Sequence, residues 1–224
     1  MQTKRHLAGA IAWILSAILI PAQIIVALMW PRGYSLTGNT ISDLGVTACA
    51  QYAESGQHLR EVCSPGFQLF NISMIISGAL IVLGALLLHG WWNRRSGRVG
   101  TICLAIAGAA VAAVGLAPWD LYPEFHDAFA TAQAILQWSA MLLLAIAAGP
   151  GAFRWVTVAA AVVSVAGFLL FVSALEGAQI PVLGLGGSER LSFDTLTVWN
   201  MCVGIAILAH TPAHRRGRLA KLAA

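Results

Sequence analysis

Residues 7–29 read LAGAIAWILSAILIPAQIIVALM, and none of them carries a charge. A helix rises about 1.5 Å per residue, so a run of this length covers the hydrocarbon core of a bilayer, which is about 30 Å thick. The run is about twice as long as the apolar core of a signal peptide, and no small-residue cleavage site follows it. It therefore predicts an uncleaved first membrane span, kinked at Pro21 because proline lacks a backbone N–H.

Five further apolar runs follow, at residues 66–89, 98–118, 126–148, 154–175 and 193–210. The chain is 58% hydrophobic and 10% charged, whereas soluble domains are about 25% charged. Lipid offers no partner to backbone N–H and C=O groups, so each span must be helical. The sequence predicts an all-α, polytopic membrane protein, in which residues 1–210 form a single bundle of six transmembrane helices.

The charged residues divide unequally between the two sides of this bundle. The side that holds both termini carries ten of the thirteen basic residues: Lys4, Arg5, Arg94, Arg95, Arg98, Arg154, Arg215, Arg216, Arg218 and Lys221. The other side carries Arg32, Arg60, Arg190 and all nine acidic residues: Asp43, Glu54, Glu61, Asp120, Glu124, Asp127, Glu176, Glu189 and Asp194.

Basic loops stay on the cytoplasmic side of a membrane. We therefore expect both termini in the cytoplasm, a basic cytoplasmic tail at residues 211–224, and the long loop 30–65 outside. The formal net charge of +4 follows from these membrane-flanking residues, so it does not predict a nucleic-acid partner.

Two of the four cysteines, Cys49 and Cys63, lie in loop 30–65. An oxidising outer compartment would allow them to form a disulfide that closes this loop. Cys103 and Cys202 lie within spans, where a cysteine packs as a small apolar side chain.

Three polar strings lie at the predicted outer ends of the spans: GNTISDLG at 38–45, WDLYPEFHD at 119–127 and GGSERLSFD at 186–194. In the fourth span His126, Gln133 and Gln137 share one helical face. The amides of Gln133 and Gln137 would lie inside the span, where lipid offers no hydrogen-bond partner, so they must face protein or water. Such amides also serve as contacts between helices. Together with Asn71 and Asn200, they predict a polar cavity that opens outward.

The candidate ligand-binding residues come from these strings and from the spans below them: Asn39, Asp43, Asn71, Asp120, Glu124, His126, Gln133, Glu189 and Arg190. Arg190 could hold a lipid phosphate, since guanidinium suits phosphate oxygens, or it could pair with Glu189. The carboxylates could also bind a divalent metal. Only His126 and His58 are available beside them, however, so we predict no metal site and no cofactor.

Ser42, Asp43 and His126 are the candidates for catalysis. A serine nucleophile needs a base and a group that orients the base, and these three side chains could supply those roles. No glycine pattern typical of a nucleophile elbow surrounds Ser42.

Three of the quoted stretches carry a resemblance to a known family: Asn39–Gly45, Val62–Pro65 leading to Asn71, and Gly186–Leu191. They resemble the bacterial family of domain of unknown function 998, over residues 8 to 210. This resemblance implies a six-span membrane protein of the bacterial inner membrane with no assigned activity, and it supplies no catalytic residues.

A looser likeness links Ser42, Asp43 and His126 to the superfamily of membrane hydrolases that includes alkaline ceramidases. The chain lacks the His-x-x-x-His pair that this superfamily carries in a late span.

We therefore expect an outward-facing polar site that binds a lipid headgroup or small ligand, in a sensor, accessory factor or carrier. The alternative is an integral membrane hydrolase that acts on a lipid or lipid-linked substrate, so the sequence leaves open whether the protein is an enzyme. A transporter is a third hypothesis, against which stand the six spans and the lack of an inverted repeat. Membrane lipid is the expected partner in every case.

Overall fold

The computed structural model describes residues 2–52, 59–178 and 180–210. Within these ranges six helices are long and apolar enough to cross a membrane: Thr3–Leu28, Phe67–Leu88, Arg95–Leu116, Pro123–Ala148, Ala152–Leu175 and Gly184–His210. The six-helix architecture is thereby confirmed. The tail at 211–224 lies outside the described residues, and the cytoplasmic placement of the termini stays a prediction.

The first span consists of two helices, α1 (Gln2–Leu15) and α2 (Leu19–Leu28), joined by a 3-10 turn at Ser16–Ile18. This interruption lies just before Pro21, whose ring excludes a regular helical hydrogen bond to the carbonyl four residues earlier. Ser77 Oγ, on the next span, donates to the Ser16 carbonyl oxygen at 2.7 Å. A side chain of the second span thus gives a hydrogen bond to a backbone carbonyl at the interruption in the first span, close to the predicted kink at Pro21.

The other spans are α3 (Phe67–Leu88), α4 (Arg95–Leu116), α5 (Pro123–Ala148), α6 (Ala152–Leu175) and α7 (Gly184–His210). Each packs against the next along the chain, and α7 returns to α1, so the spans form a ring. The contact between α5 and α6 is the loosest in this ring.

Five of the six spans begin before their predicted apolar runs, and the difference is largest for α7. Helix α7 begins at Gly184 and not at residue 193, so the string at 186–194 is helical and not a loop. Leu185, Glu189 and Ser192 are buried on its inner side, which explains why a polar helix end is stable here although its hydropathy is low. Helix α5 begins at Pro123, because proline is well suited to the first helical turn.

Residues 29–52 and 59–66 form a cap over one end of the bundle, called the cap end below. It contains an antiparallel hairpin of β1 (Ala50–Tyr52) and β2 (Arg60–Val62), which the all-α prediction lacked. Cys49 and Cys63 form a disulfide beside the hairpin, as predicted. Leu44, Val46 and Val62 are buried in a hydrophobic cluster with residues of the spans, so the cap is packed onto the bundle.

Close approach of α3 and α4 depends on two glycines. A Cβ atom on Gly78 would lie 2.4 Å from the Gly108 carbonyl oxygen, and one on Gly108 would lie 2.8 Å from the Gly78 oxygen. Small residues let helix backbones pack tightly in membranes, where dispersion contacts replace the hydrophobic effect.

Replacing Gly78 by Ala should therefore destabilise the bundle, by about 1–3 kcal/mol, since two helices must separate. Unfolding of the purified protein in mild detergent, followed by circular dichroism, measures the loss. Gly90→Ala is the matched control, because no atom lies within 4 Å of a Cβ at Gly90. Equal stability of the two variants would contradict the proposed role of the glycine contact.

Candidate functional site

The first turn of α7 holds part of the cap in place. Gly186 N–H donates to the Thr37 carbonyl oxygen at 2.8 Å, and a Cβ atom on Gly186 would lie 1.9 Å from the Asn39 carbonyl oxygen. Only glycine allows the cap backbone to lie this close to the helix. The contact brings the 3-10 turn Ser42–Gly45 next to α7.

Glu189 lies one turn further along α7 and is buried. Its Oε2 accepts a hydrogen bond from Ile41 N–H, and its Oε1 lies 3.1 Å from Ser42 Oγ. One carboxylate thus contacts both the backbone and a side chain of the cap.

His126 completes the cluster from the first turn of α5. Its Nδ1 lies 2.8 Å from the Ala117 carbonyl oxygen, at the end of α4, and its Nε2 lies 3.0 Å from Ser42 Oγ. A carbonyl oxygen only accepts hydrogen bonds, so Nδ1 carries a proton and the ring orientation is fixed. The three polar strings of the sequence therefore meet at Ser42, His126 and Glu189, called the Ser-His-Glu cluster below.

The two bonds of Ser42 constrain the protons of this cluster. The hydroxyl has one proton to donate. It donates either to His126, so that a protonated Glu189 donates to Ser42, or to Glu189, so that a protonated imidazole donates to Ser42. With both hydrogen bonds formed, either Glu189 is protonated beside a neutral imidazole or His126 is protonated beside a carboxylate. In both cases the cluster holds one proton more than a Glu189 carboxylate beside a neutral His126.

Asp43, the neighbour of Ser42, has a structural role. Arg60 contacts both of its carboxylate oxygens, at 2.8 and 2.9 Å, and Asn39 Nδ2 and Thr40 N–H each donate to Oδ2 at 3.1 Å. The Asp43 side chain is 1% exposed. These bonds turn it towards the interior of the cap and away from the Ser-His-Glu cluster.

Arg190 is also engaged within the protein. Its NH1 group donates to the carbonyl oxygens of Leu36, Asn39 and Gly186, at 2.8 to 3.0 Å, and its NH2 group donates to the Tyr34 hydroxyl. Burial raises the pKa of the Tyr34 phenol above its usual range, so the hydroxyl stays protonated and donates to the Thr40 carbonyl oxygen, 2.5 Å away. Arg190 makes no ion pair with Glu189 among the described residues.

Three further candidates lie apart from the cluster. Asn71 Nδ2 donates to the Gly45 carbonyl oxygen at 2.9 Å. Asp120 Oδ2 accepts hydrogen bonds from the backbone and hydroxyl of Thr47, at 3.0 and 2.6 Å. Glu124 is exposed in the first turn of α5, where its charge suits the helix dipole.

Two cavities meet at the Ser-His-Glu cluster. An inner chamber of about 40 Å³ lies below it and is lined by further polar residues, among them Gln23, Gln133, Asp194 and Thr197. A larger cleft of about 360 Å³ lies beside it, between α5, α6 and α7. Ser42, His126 and Glu189 line both cavities, so the cluster is accessible to a bound molecule.

Helices α5 and α6 are joined by contacts of Trp138. Trp138 Nε1 donates to Ser164 Oγ at 2.9 Å, and the Trp138 and Phe168 rings lie 5.3 Å apart. Apolar side chains of α6 and α7 line the cleft, at Phe168, Phe171, Val172, Leu175 and Phe193. From Phe168 to Leu175 the cleft is about 10 Å deep, at about 1.5 Å per residue.

The polar residues of the spans differ in their surroundings. Gln133 lines the inner chamber, whereas Gln137 joins two helices through a bond to the Leu196 carbonyl oxygen at 3.0 Å. Asn200 is buried without a hydrogen-bond partner among the described residues and lines neither of these two cavities.

Sequence reasoning missed Gln23, which donates to Asp194 Oδ1 at 2.7 Å and lines the chamber. An amide inside the first apolar run was the available signal. The aromatic wall of the cleft was also missed, because aromatic residues in a span are as common on lipid-facing surfaces as in sites.

No group of three or more His, Cys, Asp or Glu residues within the described ranges could hold a metal ion. Ser42, His126 and Glu189 instead present a hydroxyl, an imidazole and a carboxyl group. Such groups bind polar ligands by hydrogen bonds, and they can also transfer protons.

Six apolar helices define a helical membrane protein, and the polar cluster beside the cleft is its candidate site at the cap end. The family model described as "Protein of unknown function (DUF998)" matches residues 14–206 of the 224-residue chain. The chain belongs to this family, as its resemblance predicts. Comparisons with curated proteins and with solved structures find no match.

Two ion pairs at the cap end allow the structural role of Asp43 to be tested. Asp43→Asn should lower the free energy of unfolding by about 3–5 kcal/mol, because it removes the negative charge from a buried ion pair with Arg60. Glu61→Gln removes the exposed pair between Glu61 and Arg32 and should cost at most about 1 kcal/mol. Denaturant titration of the purified variants measures both, and a similar small effect of the two changes would contradict a structural role for Asp43.

Proposed function

We propose that this protein binds a membrane lipid in the cleft between α5 and α6, with the polar part of the lipid at the Ser-His-Glu cluster. The observation that supports this proposal is a cleft lined mainly by apolar side chains and, at the cap end, by the three polar side chains of the cluster. An amphiphile is the class of molecule that matches both surfaces at once.

The dimensions and the composition of the cleft support a ligand of this kind. Its volume of about 360 Å³ lies within the range of about 300–1,000 Å³ typical of small-molecule sites. Its walls are mainly aromatic and aliphatic, and α6 is the span with the smallest buried share. An acyl chain that enters between α5 and α6 would therefore remain next to the surrounding lipid.

The charge distribution of the sequence predicts that the cap end faces away from the cytoplasm. The lipid would then come from the outer leaflet. We propose that the protein acts as a sensor, accessory factor or carrier for such a lipid.

Filling the cleft should prevent binding. Ala130 lines both cavities, so Ala130→Phe should remove most of the lipid that remains bound after purification in detergent. Native mass spectrometry of the intact protein measures the bound lipid.

Ala128→Phe is the matched control, because Ala128 is exposed on the same helix and lines neither cavity. This variant should retain the lipid. Equal lipid content in the two variants, or no lipid on the unmodified protein, would contradict a lipid site in the cleft.

The hydrogen bond between Ser42 and His126 favours a second candidate, a lipid hydrolase. Ser42 Oγ would attack an acyl carbonyl carbon while its proton passes to His126 Nε2, and the leaving alcohol would take that proton. Water, deprotonated by His126, would then hydrolyse the acyl-serine and restore the hydroxyl. The Ala117 carbonyl oxygen holds the imidazole in the required tautomer, the role that a carboxylate has in a serine–histidine–aspartate triad.

A fluorophosphonate probe tests this second candidate. Ser42 should be labelled in the folded protein, and His126→Gln should slow the labelling by about 100-fold or more, because general-base assistance contributes that much. Peptide mass spectrometry identifies the labelled residue. Ser173→Ala, at an exposed serine of α6, should label normally, and absence of labelling at Ser42 would exclude this serine as a nucleophile.

A further inference from the structure

We infer that the lipid bound in the cleft carries an ammonium group in its head, an inference that rests on the proposed lipid site. The rim of the cleft contributes to the choice of head group, and its two exposed charged side chains, Asp127 and Glu176, are both acidic.

Three carboxyl groups line the cleft, those of Asp127, Glu176 and Glu189. None of its lining residues in the described chain is Lys or Arg. A head whose only charge is a phosphate or carboxylate would meet the like charges of Asp127 and Glu176 at the rim, which is unfavourable, whereas an ammonium would be attracted to them.

Two of these carboxyl groups lie at the level where a lipid head would lie. Asp127 is exposed in the first turns of α5, and Glu176 is exposed directly after the last residue of α6. Trp119 lines the cleft at the same end, and an indole ring attracts a cation placed over its face. The apolar side chains of Phe168 and Phe193 lie deeper. The charged head of one lipid could therefore lie beside the carboxyl groups while its acyl chain contacts the phenylalanines.

The arginines of the cap end make their contacts elsewhere. Arg60 contacts Asp43, Arg32 contacts Glu61, and Arg190 donates to carbonyl oxygens of the cap and of α7. None of the three lines the cleft. A lipid phosphate in the cleft would thus have no guanidinium partner there, and this distinguishes the inference from the expectation that Arg190 holds a phosphate.

Photocrosslinking with diazirine-bearing lipids tests the inference on the full-length protein in detergent. Phosphatidylethanolamine is zwitterionic and carries an ammonium beside its phosphate, phosphatidylglycerol carries the phosphate without an ammonium, and diacylglycerol has no charge. At equal concentration, phosphatidylethanolamine should label cleft peptides of α6 and α7 more than either of the other lipids. The double variant Asp127→Asn, Glu176→Gln should reduce its preference over phosphatidylglycerol by about threefold or more, as expected for two ion pairs at a surface.

Glu124→Gln is the matched control, since it removes the same charge from the same end of α5 but lies outside the cleft. It should leave the preference unchanged. Labelling of the cleft by all three lipids alike, or an equal loss in Glu124→Gln, would overturn the ammonium inference and leave the lipid site standing. If no lipid labels the cleft, both the site and the inference fail.

Discussion

The bond between the Ile41 backbone N–H and the Glu189 carboxyl group is the contact on which the site depends. It joins a loop before the second span to a helix near the end of the chain. Gly186 makes the bond possible, because any larger residue would collide with the Asn39 carbonyl oxygen. Once the cap is fixed on α7, Ser42 lies between Glu189 and His126. The Ser-His-Glu cluster therefore forms only when the cap is packed against α7.

The polar residues of the cap end fall into two groups with different roles. Asp43, Arg60, Asn39 and Arg190 satisfy one another or backbone groups in the interior, and their bonds hold the cap together. In a low-dielectric interior such groups are costly unless they are fully paired. The side chains of the Ser-His-Glu cluster are also bonded, but they line two cavities as well. Access to a cavity, and not polarity alone, distinguishes residues that can meet a ligand.

The cleft lies where the contact between neighbouring spans is loosest, between α5 and α6. Helices α5 and α6 are joined by a short link at residues 149–151 and meet at Trp138. On its other side, α6 packs tightly on α7, where a Cβ on Gly167 would lie 2.6 Å from Ser192 N. The cleft between α5, α6 and α7 lies next to the polar cluster, and the proposed lipid site combines these two features.

The sequence by itself determined the six spans and the disulfide. The thickness of a bilayer sets the length and the apolar composition of a span, and two cysteines in one outer loop can pair in an oxidising compartment. Both signals can be read from short stretches of the chain. It also identified the three polar strings from which Ser42, His126 and Glu189 come. It did not separate these residues from Asp43, Asn71, Asp120 and Arg190, which have the same chemical character. Only the tertiary structure decided which of them pair within the cap and which line a cavity. Those distances join residues more than 80 positions apart in the chain, and no local pattern of residue types specifies them.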